Sequence, residues 1–315
     1  MITKSKILVT GGAGFIGSAL VRFLLKGDND IIIFDDFSVG SRDNIKDILN
    51  DKHIKIIKGD IRIYRSIQKA IDNVDYIFHL AVQCLGESLV RPKYVNEVNV
   101  TGTLNLCMAS LKNRSLKRFT YVSSSEVYGT AKYIPMDENH PLIPSTPYGV
   151  SKAAGELYAR SFHIANGLPI VIVRPFNTYG PRARLDRYSA VIPNFVNRVM
   201  GGLPPIIYGD GSQTRDFTYV SDTVEGMVLA AESDALVGDV VNIASGKETS
   251  VNELANIIFK MFNAEHIKPI YHGSRIGDIQ RHLGDISKAK KILGYKPKIP
   301  VEEGIRLYAE WLKNK

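Results

Sequence analysis

A tyrosine and a lysine lie one helical turn apart at the start of a predicted helix that follows Pro147. Tyr148 and Lys152 are at positions i and i+4, which share a helix face, so the phenol and the ammonium group would be neighbours. A phenol with the ordinary pKa of about 10 is a poor base at neutral pH, but a nearby ammonium group and the positive ring of a nicotinamide would both favour phenolate. Tyr148 could therefore take a proton from an alcohol while the carbon's hydrogen leaves as hydride, and Lys152 could also hold the nicotinamide ribose.

Consecutive serines strengthen this interpretation, because a Tyr-x-x-x-Lys pair is common by chance. Ser123, Ser124 and Ser125 lie at the end of a predicted strand over residues 118–123, and a doubly wound sheet places its ligands at the carboxyl ends of its strands. One of these hydroxyls could hydrogen-bond the substrate hydroxyl and steady the developing carbonyl. The pattern indicates oxidation of an alcohol at this edge of the sheet.

A glycine-rich turn joins the predicted strand 6–10 to the predicted helix 16–25. Glycines at 12 and 14 would let backbone N–H groups approach a pyrophosphate, Gly17 would let the helix pack against the strand, and the positive helix end would face the anion. A second predicted strand ends at Asp35, whose carboxylate can accept both adenosine ribose hydroxyls but repels a 2′-phosphate. We therefore predict NAD rather than NADP. The alternative is an ordinary glycine-rich turn with Asp35 in a solvated loop.

The elements that must position these groups alternate along the first half of the chain. The predicted strands cover residues 6–10, 30–35, 54–59, 76–81, 118–123 and 169–174. The predicted helices cover residues 16–25, 63–71, 100–109 and 151–165. Short β-branched runs that alternate with amphipathic stretches are typical of a parallel sheet with crossover helices, so the fold class is predicted to be α/β, a doubly wound (Rossmann) sheet.

Glycine and proline divide the chain into short pieces after Pro175. Residues 240–244 are predicted to form a further strand that returns to the main sheet, and residues 250–262 and 301–312 are predicted helices. We therefore expect a smaller, interleaved α/β domain that binds the substrate. The predicted division is 1–176 with about 218–245 for the NAD-binding domain, and 177–217 with 246–315 for the second domain.

Composition excludes several classes of protein. The chain has 315 residues, 44% of them hydrophobic and 23% charged, which excludes disorder, collagen-like repeats and a coiled-coil rod. The net charge is +8, but the basic residues are scattered, so a solvated surface is favoured over binding to nucleic acid or a membrane. Two cysteines, Cys84 and Cys107, make a disulfide framework or a metal site implausible and favour a reducing compartment. With no signal peptide or membrane span in evidence, a cytoplasmic location is predicted.

The chain resembles the extended short-chain dehydrogenase/reductase family, and within it the nucleotide-sugar epimerases and dehydratases. The matching segments are 10–17, 59–61, 79–81, 98–100, 121–129, 148–152, 174–181, 208–211, 215–217 and 275–278. Aligned on Val127-Tyr128-Gly129, the family's catalytic Ser/Thr corresponds to Ser124. The resemblance thus implies the same fold, bound NAD, a nucleoside diphosphate sugar as substrate, and a homodimer formed through the helices around 100–109 and 151–165.

The resemblance also implies roles for individual residues. The implied catalytic residues are Tyr148, Lys152, Ser124 and Glu126. The implied cofactor contacts are Gly11, Gly14, Phe15, Ile16, Gly17, Asp35, Asp60, Ile61, Leu80, Ala81, Asn99, Tyr148 and Lys152. The implied substrate contacts are Ser124, Asn177, Arg215, Arg275 and Asp278. Two alternatives stay open: Asp60 could instead cap a helix, and each arginine alone could form a surface or interdomain ion pair.

These relatives share oxidation at sugar C4 and then diverge. Glu126 occupies a position where dehydratases and decarboxylases of the family have a glutamate, whereas Ser125 replaces the aspartate of the 4,6-dehydratases and the decarboxylase tail pattern is missing. We therefore predict a UDP-sugar 4-epimerase, an isomerase, with a 4,6-dehydratase or a UDP-glucuronate decarboxylase as the alternative. In the epimerase, Glu126 could simply orient the serine loop. A non-catalytic NAD-binding protein is the remaining alternative, although it would be expected to lack Tyr148, Lys152 or Ser124.

Overall fold

The computed structural model describes residues 1–184, 190–274 and 279–315. Its strands are β1 (Lys6–Thr10), β2 (Asp30–Asp35), β3 (Ile54–Lys58), β4 (Tyr76–His79), β5 (Arg118–Val122), β6 (Ile170–Pro175), β7 (Thr178–Tyr179), β8 (Ile206–Tyr208), β9 (Thr214–Arg215), β10 (Thr218–Tyr219), β11 (Val240–Ile243), β12 (Thr249–Ser250) and β13 (Ile270–His272). Its α-helices are α1 (Phe15–Leu25), α2 (Tyr64–Gln68), α3 (Leu85–Val90), α4 (Pro92–Asn96), α5 (Gly102–Ser110), α6 (Pro147–Asn166), α7 (Val191–Met200), α8 (Val220–Glu232), α9 (Val251–Met261), α10 (Ser287–Leu293) and α11 (Val301–Lys313).

Seven of the described strands form one parallel sheet in the order β11-β6-β5-β4-β1-β2-β3. Chain order reverses on either side of β1, which pairs with both β2 and β4. This reversal is the switch point of a doubly wound sheet, outside whose carboxyl ends ligands bind. The predicted α/β Rossmann fold class is confirmed, and so is the return of the 240–244 segment to the sheet, because β11 pairs with β6.

Side chains on successive strand residues enter different apolar layers. On β1, Ile7 and Val9 pack into one buried cluster and Leu8 into another. Alternation of this kind places hydrophobic residues on both faces of a strand, as expected of a parallel sheet covered by helices on each side. The resulting core holds the carboxyl ends of the strands in fixed register beneath the loops that follow them.

The segments after β6 form short pairings beside the main sheet. Strand β7 pairs with β10, β9 with β12, and β8 with β13. Helices α7 and α8 lie in the region that glycine and proline predicted to be broken into short pieces. The division of the chain into an NAD-binding and a substrate domain stays a prediction.

Asp216 connects three of these later segments. It is completely buried, and its carboxylate accepts hydrogen bonds from the Ser245 N–H and hydroxyl at 2.8 and 2.6 Å, from Gly246 N–H at 2.9 Å and from Gly284 N–H at 3.3 Å. Burial raises the pKa of Asp216 to about 6, against the effect of these donors. This one side chain thereby connects three segments: the loop after β9, the loop after β11 and the backbone at Gly284.

A buried ion pair joins α6 to β6. The Arg174 guanidinium donates to both Glu156 carboxylate oxygens, at 2.9 and 2.6 Å, and the two side chains are 3% and 2% exposed. Arg174 also donates to the Tyr128 hydroxyl at 2.9 Å, which donates in turn to Asn242 Oδ1 at 2.7 Å. The pair and its extension through Tyr128 therefore fix the helix that begins at Pro147 relative to two strands of the sheet, β6 and β11.

Replacing Glu156 by glutamine should destabilise the fold strongly, because the Arg174 charge would remain buried without its counter-ion. Loss of one partner from a buried pair costs about 3–5 kcal/mol. Urea unfolding would measure the difference. Glu303→Gln, which removes one of the two carboxylate partners of Arg306 on the exposed face of α11, is the control and should leave the free energy of unfolding unchanged within error. Equal effects of the two substitutions would contradict the assigned importance of the buried pair.

Candidate active site

A cavity of about 380 Å³ opens at the carboxyl ends of β1, β2, β4, β5 and β6. Its lining contains the glycine turn, the end of β2, the serine segment and the start of α6. The sequence-predicted residues that it brings together are Gly11, Gly14, Phe15, Ile16, Gly17, Asp35, Ile61, Leu80, Ala81, Ser124, Glu126, Tyr148, Lys152 and Asn177. The sheet therefore gathers most of the predicted site from segments that are far apart in the chain.

The floor of the cavity is backbone that has no room for side chains. Gly11 has a positive φ of 71°, and a Cβ there would lie 2.7 Å from the Ala81 nitrogen. A Cβ on Gly17 would lie 2.1 Å from the Gly11 carbonyl oxygen. Helix α1 begins at Phe15, so its unpaired N–H groups lie beside this floor. The cradle fits the pyrophosphate of a dinucleotide, which is the group that such a turn and helix end accommodate.

Asp35 lies at the adenosine side of the predicted cofactor site. It is 6% exposed, and its two carboxylate oxygens accept hydrogen bonds from Ala13 N–H at 2.9 Å and Phe37 N–H at 2.8 Å. Burial raises the pKa of Asp35, and the two backbone donors oppose the rise. Each oxygen has a second lone pair, so the carboxylate keeps acceptor capacity toward ribose hydroxyls. Its role in selecting NAD over NADP stays a prediction.

Tyr148 and Ser124 both line the cavity, and the Ser124 side chain is near enough to the phenol to affect its pKa. Thr146 caps α6 by accepting a hydrogen bond from Gly149 N–H at 3.1 Å, and Pro147 begins the helix, so the sequence fixes the direction of its first turn. Burial raises the pKa of Tyr148 above its usual value, the Ser124 side chain lowers it, and the charge of Glu126 raises it. The phenol is therefore protonated at neutral pH in the chain without ligands.

Lys152 lies deeper, with 4% of its surface exposed. Its Nζ donates to the Val122 carbonyl oxygen at 2.6 Å and lies 4.4 Å from the centre of the Tyr121 ring. Burial lowers the pKa of Lys152 to about 7, and the charge of Glu156 opposes this shift. We expected the ammonium group to favour ionisation of Tyr148, but without cofactor, burial outweighs that effect at both groups.

Glu126 and Ser125 follow Ser124 in a short 3₁₀ turn, Ser125–Val127. The Ser124 hydroxyl oxygen accepts a hydrogen bond from Glu126 N–H at 3.2 Å, which fixes the turn. Glu126 and Ser125 both line the cavity; Ser125 is 3% exposed and its carbonyl oxygen lies 3.4 Å from His282 Nε2. The Glu126 carboxylate and the hydroxyls of Ser124 and Tyr148 thus line the same cavity.

Asn99 and Asp60, two predicted cofactor contacts, have protein partners in the structure. Asn99 accepts a hydrogen bond from Gln83 N–H at 2.8 Å and donates to the Ser151 hydroxyl at 2.9 Å. The Asp60 carboxylate accepts from the Arg62 guanidinium, at 2.6 Å for the shortest contact. The alternative role of Asp60 as a helix cap is not observed, because the residue that precedes α2 is Ile63.

The predicted substrate contacts fall into two groups. Asn177 lines the cavity, and its Nδ2 donates to the Asp216 carbonyl oxygen at 3.2 Å. Arg215 donates to the carbonyl oxygens of Thr214 at 2.9 Å and Ile279 at 2.6 Å. Arg275 and Asp278 lie outside the described residues. Their role, like that of Arg215, stays a prediction.

His79 and Gln83 support the site, and sequence reasoning missed both. His79 Nδ1 lies 2.8 Å from the Thr10 hydroxyl, and Nε2 lies 2.9 Å from the Thr103 hydroxyl. Because the Thr103 hydroxyl donates to the Asn99 carbonyl oxygen, it accepts from His79, whose proton is therefore on Nε2. The available signal was a histidine inside the predicted buried strand 76–81. For Gln83 the sequence offers no comparable signal.

The structure also contains no helix, among the residues it describes, with the length and apolar character needed to cross a membrane.

Comparisons with known proteins agree with this geometry. The family model described as GDP-mannose 4,6 dehydratase matches residues 8–308. The UDP-glucose 4-epimerase of Mycolicibacterium smegmatis is 34% identical over 314 residues, which cover 98% of this chain and 99% of that protein. The solved UDP-N-acetylglucosamine 4-epimerase of Methanobrevibacter ruminantium, in complex with UDP-N-acetylmuramic acid, has a TM-score of 0.93 and 36% identity, with 99% of each chain covered.

A third similar protein has a different activity. The dTDP-glucose 4,6-dehydratase DesIV of Streptomyces venezuelae, solved with NAD bound, has a TM-score of 0.91 and 31% identity, covering 98% of this chain and 97% of its own. One fold therefore serves both epimerases and dehydratases among these relatives.

Buried, neutral His79 should make folding pH-dependent. Burial lowers the pKa of His79 to about 3. Between that value and its ordinary pKa, the imidazole is protonated in the unfolded chain and neutral in the folded chain. The stability that His79 contributes is complete above its unfolded pKa and is lost as the pH falls, at about 1.4 kcal/mol per pH unit. The difference in unfolding free energy between wild type and His79→Asn should thus shrink by about 2–3 kcal/mol from pH 7.5 to 4.5. A difference independent of pH in urea titrations would refute this, and so would an NMR titration of His79 near pH 6.

Proposed function

Because the chain belongs to the family described as GDP-mannose 4,6 dehydratase, we propose that it is an NAD-dependent UDP-sugar 4-epimerase, an isomerase that works through a transient 4-keto sugar. The observation that carries the proposal is that Tyr148, Ser124 and Lys152 line the same cavity as the glycine cradle. Bound NAD supplies the redox chemistry at sugar C4. The named activities of the M. smegmatis and M. ruminantium relatives support the epimerase assignment.

In this proposal Tyr148 accepts the proton of the C4 hydroxyl and later returns it. Ser124 favours that transfer, because a hydrogen bond to the phenol oxygen stabilises phenolate. Lys152 holds the nicotinamide ribose, and its lowered pKa lets it respond to the charge of bound ligands near neutral pH. The cofactor's positive ring would further favour phenolate.

A second candidate activity rests on Glu126. This carboxylate lines the same cavity and its charge acts on Tyr148, so it shares the space in which the sugar would lie and could serve there as an acid or base near C5 and C6. A sugar 4,6-dehydratase or a UDP-glucuronate decarboxylase would use it in that way. Ser125, which replaces the aspartate of the 4,6-dehydratases, favours the epimerase. The lyase is therefore the alternative.

The nucleoside diphosphate part of the substrate is assigned to Asn177, Arg215, Arg275 and Asp278 in the segments 177–217 and 246–315. Guanidinium groups suit this role because they chelate phosphate oxygens in pairs. The remaining chain, 1–176 with about 218–245, would hold NAD. The location proposed is the cytoplasm, a reducing compartment that fits the free thiols of Cys84 and Cys107.

A homodimer formed through α5 and α6 is part of the proposal. Val150, Leu157 and Ile164 are spaced by seven residues along α6, and they are 54%, 64% and 80% exposed. Met108 and Leu111, at the end of α5, are 44% and 43% exposed. An apolar stripe at helical spacing is expected to be covered by another helix, and a second copy of the same helix pair would cover it.

Turnover should depend on Tyr148. Tyr148→Phe removes the proton acceptor but not the cofactor cradle, so activity toward UDP-sugars should fall by about 10²–10⁴-fold while NAD stays bound. Tyr64→Phe, on α2 and away from the cavity, is the control. Chromatographic assay of C4 epimers and spectrophotometry of released cofactor would measure the two quantities. Wild-type turnover in Tyr148→Phe would overturn its assigned role.

Solvent deuterium separates the two candidate activities. In deuterium oxide, a 4-epimerase inverts C4 without solvent label, because the same hydrogen leaves and returns to the sugar. A lyase introduces deuterium at C5 or removes C6 functionality. We expect inversion without label from UDP-sugars by NMR, both in wild type and in Glu126→Gln. Label at C5 that disappears in Glu126→Gln would establish the lyase instead.

Charge on the stripe of α6 should separate the subunits. Ile164→Glu and Leu157→Glu place carboxylates on the proposed contact face, where burial would be costly, so light scattering should show monomers where the wild type is a dimer. Ile63→Glu, at an apolar position that is 56% exposed before α2, serves as the control. A monomeric wild type would count against the dimer but not against the chemistry.

A further inference from the structure

The topology of the sheet determines what crosses above the glycine cradle. Strand β1 lies between β2 and β4, and the cradle follows β1. A direct contact between the loop after β2 and the loop after β4 must therefore pass over the carboxyl end of β1. Ser38 in the first loop and Gln83 in the second both line the cavity that contains Gly11 and Gly14.

One hydrogen bond makes that crossing. Gln83 Nε2 donates to the Ser38 hydroxyl oxygen at 3.0 Å. The Ser38 hydroxyl donates to Asp36 Oδ1 at 2.7 Å, so its hydrogen is used and its oxygen is the acceptor. The second hydrogen of Gln83 Nε2 is donated to the Tyr94 hydroxyl oxygen at 3.0 Å. Both hydrogens of Gln83 Nε2 are thus used in hydrogen bonds while the side chain bridges the two loops.

Both ends of this bridge are anchored. On the β2 side, Ser41 N–H donates to the Ala13 carbonyl oxygen at 3.0 Å, which folds the loop back onto the cradle. On the β4 side, Asn99 holds the Gln83 peptide group at both its N–H and its carbonyl oxygen, at 2.8 and 3.2 Å.

The anchors extend to the catalytic helix and to a cationic cluster. Asn99 also donates to Ser151, the residue before Lys152 on α6, at 2.9 Å. The Tyr94 ring has the guanidinium groups of Arg91 at 4.3 Å and Arg62 at 5.1 Å. The residues at the β4 end of the bridge are therefore held in turn by contacts with α6 and with two arginines.

We propose that Gln83 is a positioning residue that closes a latch, made of its hydrogen bonds to Ser38 and Tyr94, over the dinucleotide and so retains the cofactor between turnovers. The inference rests on the proposed function, in which one cofactor molecule must stay in place to take and return the same hydrogen. In this proposal, a cofactor that lies on the cradle leaves only after these bonds open. Retention, rather than the chemistry at C4, is the quantity that the latch controls.

Cofactor dissociation tests the latch directly. Purified wild type, Gln83→Ala, Ser38→Ala and the double variant are loaded with NADH, and release is followed by fluorescence after mixing with excess NAD. Loss of these bonds should raise the dissociation rate about tenfold in Gln83→Ala, the scale of two neutral hydrogen bonds, and less in Ser38→Ala. Because both substitutions break the same bridge, the double variant should release NADH no faster than Gln83→Ala.

Asn113→Ala is the matched control, since its amide donates to the Val74 carbonyl oxygen outside the cavity, and it should release NADH at the wild-type rate. Gln83→Ala should also lose activity on gel filtration and regain it when NAD is added, a readout that a merely structural role would not move. Three results would overturn the latch. Gln83→Ala could release NADH at the wild-type rate, Asn113→Ala could release it as fast as Gln83→Ala does, or the effects of Gln83→Ala and Ser38→Ala on the rate could add in the double variant. Failure of wild type to bind either nucleotide would overturn the proposed function as well.

Discussion

The close backbone approach at the end of β1 is the constraint on which the site depends. Gly11 contacts the peptide between Leu80 and Ala81, and Gly17 contacts Gly11 itself, at distances that leave no room for a Cβ. With side chains excluded, the end of the strand presents bare peptide groups and the start of α1 to the cavity. The parallel sheet then sets every other part of the site around this point, because its strands end at a common edge.

Burial dominates the electrostatics around that edge. Tyr148, Lys152 and His79 all have pKa values shifted toward their neutral forms, chiefly because they are buried. In the unliganded chain the site therefore carries few charges besides those of its carboxylates. A charged ligand changes this balance, since buried groups respond strongly to a neighbouring charge. A buried ion pair lies outside the cavity lining, where Glu156 and Arg174 hold α6 against β6.

Local patterns predicted the parts of the fold that local physics determines. The β-branched runs identified the strands of the main sheet within a few residues, and the helix predicted to follow Pro147 is observed as α6, which begins at Pro147 with Thr146 as its cap. Helices α7 and α8 were missed, because the glycine and proline pairs around them suggested irregular structure, whereas tertiary packing of residues such as Phe195 and Met227 stabilises them. The two-residue strands β7, β9, β10 and β12 carry too little pattern to predict.

The candidate site likewise contains residues that the sequence predicts and contacts that it does not. The glycine turn, Asp35, Ser124, Tyr148 and Lys152 could be selected from sequence because each has a characteristic spacing or follows a strand. The partners of Asn99, Asp60 and Gln83 could not, because those contacts join residues whose proximity only the sheet order creates. The shift in the pKa of Tyr148 also depends on burial that spacing alone does not reveal.

Strand β11 has a consequence for how the chain can be divided. It is contributed from beyond residue 239, yet it covers the outer edge of β6 with a parallel pairing from Val240 to Ile243. A fragment that stopped near residue 176 would keep the glycine turn, the serine segment and α6, but its last strand would expose a row of unpaired amides and carbonyls to solvent. Open edges of that kind recruit strands from other molecules, so the amino-terminal part on its own would be prone to self-association through β6, an edge that β11 covers in the intact chain.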